Sequence, residues 1–241
     1  MDNKIIVKNL HFSYLDDKSV LKGINFEVRP NEIVGLLGAN GSGKTTTFKL
    51  LSGLLTPDEG EITIDGLSII KNLHDILKIS AFIPDESLLY PNLSAEENMN
   101  LFAILWGVDS IKAKKRAQEL LQEVGLWTVK NQWISSYSKG MKQKLSICAA
   151  LLHEPKLLLM DEPFNGLDID ALVWAREMLK SYVSQAERSI IFTSHTPEVV
   201  ESLANRVIIL QDGIICHEEL ISTDPKNRRP LIEIYKEVVK I

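Results

Sequence analysis

The sequence predicts an α/β fold in which a mostly parallel sheet is flanked by helices and interrupted by an inserted helical lobe. Short apolar runs recur along the chain between helical or polar segments, an alternation typical of parallel α/β sheets. Between about residues 86 and 155 the spacing of apolar residues is helical instead. The chain has 241 residues, of which 45% are apolar and 24% charged, which is enough material for one large domain.

The first third of the chain predicts strands. Segment 24–28 alternates apolar and polar residues, as in a strand with one buried face. Segment 33–37 is continuously apolar, which indicates a strand buried on both faces of a parallel sheet. A glycine-rich loop follows, and segment 45–55 predicts a helix. Segment 61–66 then predicts a short edge strand that ends in a turn.

Three helices are predicted next. Ser94 to Glu97 form a capping-box pattern that opens the first helix. The second has apolar residues at helical spacing, followed by Gly125 as a C-terminal stop. These apolar residues are Ile111, Ala117, Leu120, Leu121 and Val124. The third helix is expected to begin near Lys139 and to end before Pro155.

The sheet then resumes with short apolar runs at 157–160, 190–192 and 207–210. We therefore expect one domain. Its α/β core covers about residues 1–85 and 156–217, and the helical lobe covers about 86–155. A tail at about 218–241 holds a terminal helix to which the sequence assigns no function.

Composition and charge exclude several classes of protein. The net charge of −5 argues against a protein that binds nucleic acid by neutralising its phosphates. Cys148 and Cys216 lack metal-ligand spacing and are interpreted as reduced thiols. No signal peptide is evident, and the apolar segment 101–106 is far shorter than the roughly 18 residues that span a bilayer. We expect a cytoplasmic protein that acts on a membrane only through a partner.

The loop 38–45 matches the G-x-x-x-x-G-K-[ST] pattern of a P-loop and lies between a buried strand and a helix, the context that this motif requires. Its glycines let backbone amides surround a phosphate, and the helix N-terminus adds partial positive charge. Lys44 is expected to contact the β- and γ-phosphates, and the Thr45 hydroxyl to ligate Mg²⁺. The predicted nucleotide-binding residues here are Gly38, Asn40, Gly41, Ser42, Gly43, Lys44, Thr45 and Thr46.

Two carboxylates, Asp161 and Glu162, end the buried run at 157–160. In open α/β sheets, ligands lie beyond the carboxyl ends of the strands, where the P-loop also lies. Asp161 is therefore expected to hold Mg²⁺, and Glu162 to accept a proton from the attacking water. A solvated turn before Pro163 is the alternative, and the P-loop upstream favours the catalytic interpretation.

At segment 137–144 the sequence resembles the nucleotide-binding subunits of ABC transporters, whose signature loop reads Leu-Ser-Gly-Gly-Gln. Ser138 and Gly140 match the serine and second glycine of that loop, whereas Tyr137, Lys139 and Met141 depart from it. The resemblance implies that the loop Ser138–Met141 contacts the γ-phosphate held by an opposite subunit. A plain helix N-cap with a basic first turn is the alternative.

Further residues extend the resemblance to about residue 215. Asp168 falls where the family has its D-loop, and His195 where it has a switch histidine at the end of a strand. By resemblance, His195 contacts the γ-phosphate and orients the water; a purely structural histidine is the alternative. Tyr14 falls where the family has an aromatic residue stacked on adenine, and this assignment rests on the resemblance alone.

The sequence departs from the family where a glutamine normally senses Mg²⁺ and the lytic water. Asp85 stands there, and an ionised carboxylate can reach Mg²⁺ through water but cannot donate a hydrogen bond. The apolar segment 88–91 that follows predicts part of a groove for a cytoplasmic helix of the permease. Buried packing under the lobe is an equal alternative.

Together these features predict a P-loop NTPase core with an N-terminal antiparallel β subdomain and the inserted helical subdomain. The resemblance implies an ATPase that binds ATP and Mg²⁺ and dimerises, with itself or with a paralogue, around two ATP molecules. It would power transport by a separate membrane permease at the inner face of the membrane, with export of drugs or antimicrobial peptides as the substrate class. A soluble ABC ATPase without a transport role, or a P-loop kinase or GTPase, remains as an alternative.

Overall fold

The computed structural model describes residues 4–14, 18–165, 169–185, 187–222 and 229–239. The strands are β1 Ile5–Ser13, β2 Ser19–Val28, β3 Ile33–Leu37, β4 Glu59–Ile64, β5 Leu67–Ser68, β6 Ser80–Ile83, β7 Leu157–Met160, β8 Ser189–Ser194, β9 Arg206–Gln211 and β10 Ile214–Leu220. The helices are α1 Lys44–Leu51, α2 Leu73–Ile79, α3 Ala95–Leu105, α4 Ser110–Glu123, α5 Lys139–Leu151, α6 Ile169–Ser184, α7 Pro197–Leu203 and α8 Leu231–Val239.

The larger sheet has the order β10-β9-β3-β8-β7-β6. Its five strands from β9 to β6 are parallel, and β10 pairs antiparallel with β9. Every residue of β3, β7 and β8 is buried, as expected for strands covered on both faces. The predicted α/β class with a mostly parallel sheet is confirmed.

The smaller sheet is antiparallel, has the order β2-β1-β4-β5 and comes from the N-terminal part of the chain, which confirms the predicted β subdomain. Ile24, Phe26 and Val28 are buried along β2, in agreement with the alternation there. The strand predicted at 61–66 is present as β4, but its assignment as an edge strand is wrong. The two-residue strand β5 pairs outside it and is too short to leave a periodic signal.

Two apolar clusters form the core. One lies under the smaller sheet and includes Leu157 and Leu159 of β7, whereas the other extends among the helices and includes Leu158 and Met160. Successive side chains of a strand point to opposite faces, so β7 divides its residues between the two clusters. This division explains why the sequence of β7 is continuously apolar.

The helices of the middle segment follow their predicted limits closely. In the capping box of α3, the Ser94 hydroxyl accepts from the Glu97 amide at 3.2 Å, and the Glu97 carboxylate accepts from the Ser94 amide at 2.7 Å. Helix α5 begins at Lys139 and ends at Leu151 as expected. Ile111 lies in α4 as its spacing predicts, but it is 80% exposed, whereas Leu120 and Leu121 of the same pattern are buried.

Helix α1 is shorter than predicted. It ends at Leu51, and the chain turns at Gly53 with φ +73°, a left-handed conformation that favours glycine. The terminal helix α8 packs against α7. In the part of the chain that the structure describes, no helix is both long and apolar enough to cross a bilayer.

Candidate active site

The strand order brings three predicted segments to one edge of the larger sheet. Strands β3, β8 and β7 are parallel neighbours, so their carboxyl ends meet. The P-loop follows β3, the acidic pair follows β7, and His195 follows β8, between them. The P-loop ends at Thr45 and the acidic pair begins at Asp161, so segments far apart in sequence are placed side by side.

At Gly38 the P-loop is packed so closely against its surroundings that there is no room for a side chain. A Cβ added at Gly38 would lie 2.4 Å from the Leu210 carbonyl oxygen and 2.5 Å from Ser42 Oγ. Gly43, directly before α1, has φ +110°, which L side chains rarely adopt. The Ser42 hydroxyl is buried and makes no hydrogen bond within the described part of the chain. The loop is therefore a close-fitting cradle at a helix N-terminus, which is an anion-binding arrangement.

Lys44 is buried with its ammonium group folded over this cradle. Its Nζ donates to the carbonyl oxygens of Gly38 at 2.8 Å and Ala39 at 3.2 Å. The same atom lies 3.4 Å from Glu162 Oε1. The cation therefore links the P-loop to the acidic pair on β7.

Thr193 fixes the acidic pair. Its hydroxyl donates to Asp161 Oδ1 at 2.6 Å and accepts from the Glu162 amide at 2.7 Å. Thr193 is 1% exposed and Asp161 is 2% exposed. Hydrogen bonds to a buried carboxylate are short and strong because the acceptor is charged, so β8 holds the end of β7 in one geometry.

Both the backbone and the carboxylate of Glu162 are constrained. Its backbone has φ +46°, a strained conformation for a residue other than glycine that is often found at functional sites. His195 Nδ1 donates to Glu162 Oε2 at 3.0 Å, whereas Oε1 is buried and accepts no hydrogen bond from the described residues. One carboxylate oxygen is thus anchored by His195, and the other faces the Lys44 ammonium at 3.4 Å without a hydrogen bond.

A family model described as "ABC transporter" matches residues 21–165 of the chain, which include both the P-loop and the acidic pair. The chain belongs to the ABC transporter family. Like the ATP-binding proteins of that family, the protein binds ATP and is an ATPase.

Similar proteins support this assignment. Over 196 residues the ABC ATPase is 40% identical to the linearmycin resistance ATP-binding protein LnrL of Bacillus subtilis, a match that covers 81% of this chain and 63% of that protein. It is 35% identical to the bacitracin transport ATP-binding protein BcrA of Bacillus licheniformis, over 97% of this chain and 75% of that one. A solved ATP-binding subunit of an ABC transporter superposes with a TM-score of 0.86 at 31% identity, covering 98% of this chain and 99% of that one.

Tyr14 lies beside the P-loop. It is 49% exposed, its hydroxyl is 3.2 Å from Thr46 Oγ1, and its ring packs edge-on against Phe12 with a centroid distance of 4.9 Å. Half of the ring is therefore available to another flat group. Its predicted role in stacking on adenine stays a prediction.

The other predicted residues lie apart from this cluster. Ser138 is the exposed N-cap of α5 and accepts from the Met141 amide at 3.2 Å. Among the described residues, no hydrogen bond or ion pair joins the loop Ser138–Met141 to the P-loop of the same chain. Asp85 is exposed and comes two residues after Ile83, which pairs with Met160, so it lies at the same sheet edge as Asp161. Asp168 lies outside the described residues.

Sequence reasoning missed the role of Thr193. Its proximity to Asp161 is evident only from the register of the sheet. Met160 pairs with Phe192, so the next residues on the two strands, 161 and 193, are neighbours. A run such as Thr-Ser-His at the end of a strand does not reveal its partner strand. The sequence alone therefore drew attention to His195 and passed over the threonine two positions before it.

Proposed function

We propose that this ABC ATPase hydrolyses MgATP with Glu162 as general base and thereby drives transport by a separate membrane permease. The observation that supports the catalytic assignment best is the state of the Glu162 carboxylate. Its Oε2 is bonded to His195, and its buried Oε1 accepts no hydrogen bond among the described residues but lies 3.4 Å from the Lys44 ammonium, which a bound phosphate would draw away. A carboxylate held in this way is suited to take a proton from a water molecule.

In the proposed reaction the water oxygen forms a bond to the γ-phosphorus of ATP and the bond between that phosphorus and the β,γ-bridging oxygen breaks. The water proton passes to Glu162, and ADP leaves with the bridging oxygen. Lys44 and the P-loop amides stabilise the charge on the phosphates. His195 orients the base through its hydrogen bond to Glu162 Oε2, and it would also contact the γ-phosphate.

The residues near the acidic pair fit Mg²⁺. Asp161, the exposed hydroxyl of Thr45 and the exposed carboxylate of Asp85 are all oxygen donors, which Mg²⁺ prefers. Asp161 and Thr45 would hold the ion, with Asp85 reaching it through water. Bound there, Mg²⁺ would neutralise charge on the β- and γ-phosphates.

A second subunit would complete each site. The loop Ser138–Met141 begins helix α5 and is largely exposed, so its helix N-terminus is free to meet an anion held by another chain. The Glu162→Gln variant tests this arrangement, since it keeps MgATP binding but loses the base. Light scattering after size exclusion should show a dimer with ATP and a monomer with ADP. A monomer that still binds ATP would contradict a dimer formed by this chain alone.

The permease would dock on the helical lobe. Close to half of the large exposed apolar side chains in the described residues lie between 86 and 155, a concentration that marks interaction surfaces. They are Leu88, Tyr90, Ile104, Leu105, Ile111 and Trp133. In segment 88–91, Leu88 is 60% and Tyr90 is 51% exposed whereas Leu89 is buried, so only Leu89 packs under the lobe.

The docking surface is testable by charge substitution. Leu88→Glu and Tyr90→Glu should each abolish copurification with the permease while leaving the basal ATPase rate unchanged. Ile70→Glu is the matched control, because Ile70 is 62% exposed but lies outside the lobe. Retention of the permease by both lobe variants would exclude this surface as the docking site.

The names of two relatives support a proposal for the substrate class and the direction of transport. One is named for linearmycin resistance and another for bacitracin transport, which supports export of peptide or drug-like antibiotics by a complex on the cytoplasmic face of the membrane. Cells that express the chain with its permease should gain resistance to such compounds. Cells with the Glu162→Gln variant should not, and equal resistance in both would contradict coupling to hydrolysis.

A further inference from the structure

A cavity of about 720 Å³ lies between α2, the turn from α3 to α4, helix α4 and the end of α5. It contains none of the residues of the active site. Its wall carries four cations, Lys78, Lys112, Lys115 and Arg116, against two carboxylates, Glu119 and Glu154. We call this cavity the basic cleft.

The positive charge of the basic cleft is only partly neutralised. Lys78 pairs with Asp75 at 3.0 Å and Arg116 with Glu119 at 3.5 Å. Lys112 and Lys115 have no ion pair within the described part of the chain, and Arg116 Nε is buried there without a hydrogen-bond partner. The chain as a whole has a net charge of −5, so the cleft is a local excess of positive charge on an acidic protein.

His153 adds little to this charge. His153 stacks on Trp106 with a centroid distance of 3.9 Å, and its Nε2 is 3.1 Å from the Ser80 carbonyl oxygen. Burial lowers the pKa of His153, which keeps the ring neutral at pH 7. The cleft therefore has lysine and arginine cations beside an aromatic wall.

Large aliphatic side chains are exposed on the cleft wall and at the two ends of the α3–α4 turn. Leu105, on the cleft wall, is 66% exposed, and Ile104 and Ile111 on either side of the α3–α4 turn are 67% and 80% exposed. Aliphatic residues exposed beside lysines are typical of protein surfaces that lie in the headgroup region of a bilayer. Anionic lipids attract such basic segments.

We infer that the basic cleft and the α3–α4 turn bind the anionic phospholipid surface of a membrane. Lys112 and Lys115 would meet headgroup phosphates, while Ile104, Leu105 and Ile111 enter the interface. An acidic protein segment would satisfy the lysines but would leave the aliphatic side chains on the turn without a role. The inference does not depend on the proposed transport function, because vesicle binding can be measured with the isolated chain.

The position of the cleft agrees with this orientation. Trp106 lines both the basic cleft and the apolar cavity beside Leu88, where we propose that the permease docks. A membrane-embedded partner at that cavity would hold the neighbouring cleft on the membrane-facing side of the lobe.

The first experiment is flotation of the purified chain with vesicles of phosphatidylcholine, with and without phosphatidylserine. Binding should require phosphatidylserine and weaken as salt is raised, because salt screens exposed charges. The double variant Lys112→Gln/Lys115→Gln should bind about 25-fold more weakly, which corresponds to about fivefold for each lysine near an anionic leaflet. The matched control is Lys8→Gln/Lys22→Gln, on exposed positions of β1 and β2, and it should bind as the wild type does.

A second variant separates lipid from a soluble polyanion. Leu105→Ser should weaken vesicle binding about fivefold through loss of apolar burial and leave binding to polyglutamate unchanged. The ATPase rate reports that each variant is folded. Unchanged vesicle binding by the cleft double variant, or equal losses in both lysine pairs, would overturn the inference. Loss of polyglutamate binding without loss of vesicle binding would assign the cleft to a protein segment instead.

Discussion

Removing one hydroxyl from Thr193 should separate catalysis from nucleotide binding. In Thr193→Val the side chain keeps nearly the same shape, but Asp161 Oδ1 and the Glu162 amide both lose their partner. These groups are buried, and each unsatisfied one costs about 1–3 kcal/mol. The free energy of unfolding should therefore fall by about 2–6 kcal/mol, measured by denaturant unfolding of the nucleotide-free protein.

The effect on the reaction should be larger than the effect on binding. Without Thr193 the strained backbone of Glu162 is no longer tied to β8, so the base moves relative to the water. We expect kcat, measured by phosphate release, to fall about 100-fold, which corresponds to about 2.7 kcal/mol of transition-state stabilisation. ATP affinity, measured by calorimetry, should stay within about threefold because the Thr193 hydroxyl bonds to Asp161 and to the Glu162 amide, not to Lys44 or the P-loop.

Two controls make this prediction refutable. Thr193→Ser keeps the hydroxyl and should retain most of kcat. Thr63→Val, on strand β4 of the smaller sheet, removes a hydroxyl far from the site and should leave kcat unchanged. If Thr193→Val hydrolyses ATP at the wild-type rate, the threonine does not position the base. If it loses ATP binding in parallel with kcat, the damage is global and the reasoning is wrong.

Three further predictions concern the loop and the core. Gly38→Ala should destabilise the protein by about 1–3 kcal/mol and abolish ATP binding, because its Cβ would lie 2.4 Å from the Leu210 carbonyl; thermal unfolding and calorimetry check both effects. Burial alone would raise the pKa of Glu32, but hydrogen bonds from Arg206 at 2.7 Å have the opposite effect. The net result is a pKa below the ordinary value of 4.5. The wild type should therefore keep this stabilisation above pH 4.5 and lose it as the pH falls through the lowered pKa, whereas Glu32→Gln should lack that pH dependence in denaturant unfolding. Ser94→Ala should cost about 1 kcal/mol through loss of the N-cap of α3, measured in the same way.

The features that sequence predicted well are those encoded within one segment. The P-loop, the acidic pair and the capping box at Ser94 are each defined by residues a few positions apart, and local chemistry fixes their structure. The order of apolar runs also indicated the parallel sheet, because strands covered on both faces have no polar alternation.

Features that depend on distant segments escaped prediction. Thr193 acquires its role only through the pairing of β7 with β8, and β5 exists as a strand only because β4 lies beside it. Ile111 has the spacing of a core residue but lies in the first turn of α4, where the chain turns it outward. The predicted contact of Ser138 with a phosphate requires a second chain, which no property of a single sequence locates.

The division of β7 between two apolar clusters has a mechanical consequence. Met160 belongs to the same packed cluster as the helices of the lobe, whereas Leu159 belongs to the cluster under the smaller sheet. Close-packed interiors transmit displacement because they contain little free volume. A displacement of the lobe would thus be transmitted through packed side chains to Met160, the residue directly before Asp161. Leu159, on the opposite face, is held by the cluster under the smaller sheet. Strand β7 is therefore packed on both faces, and a displacement of the strand would move the two carboxylates that follow it relative to the P-loop.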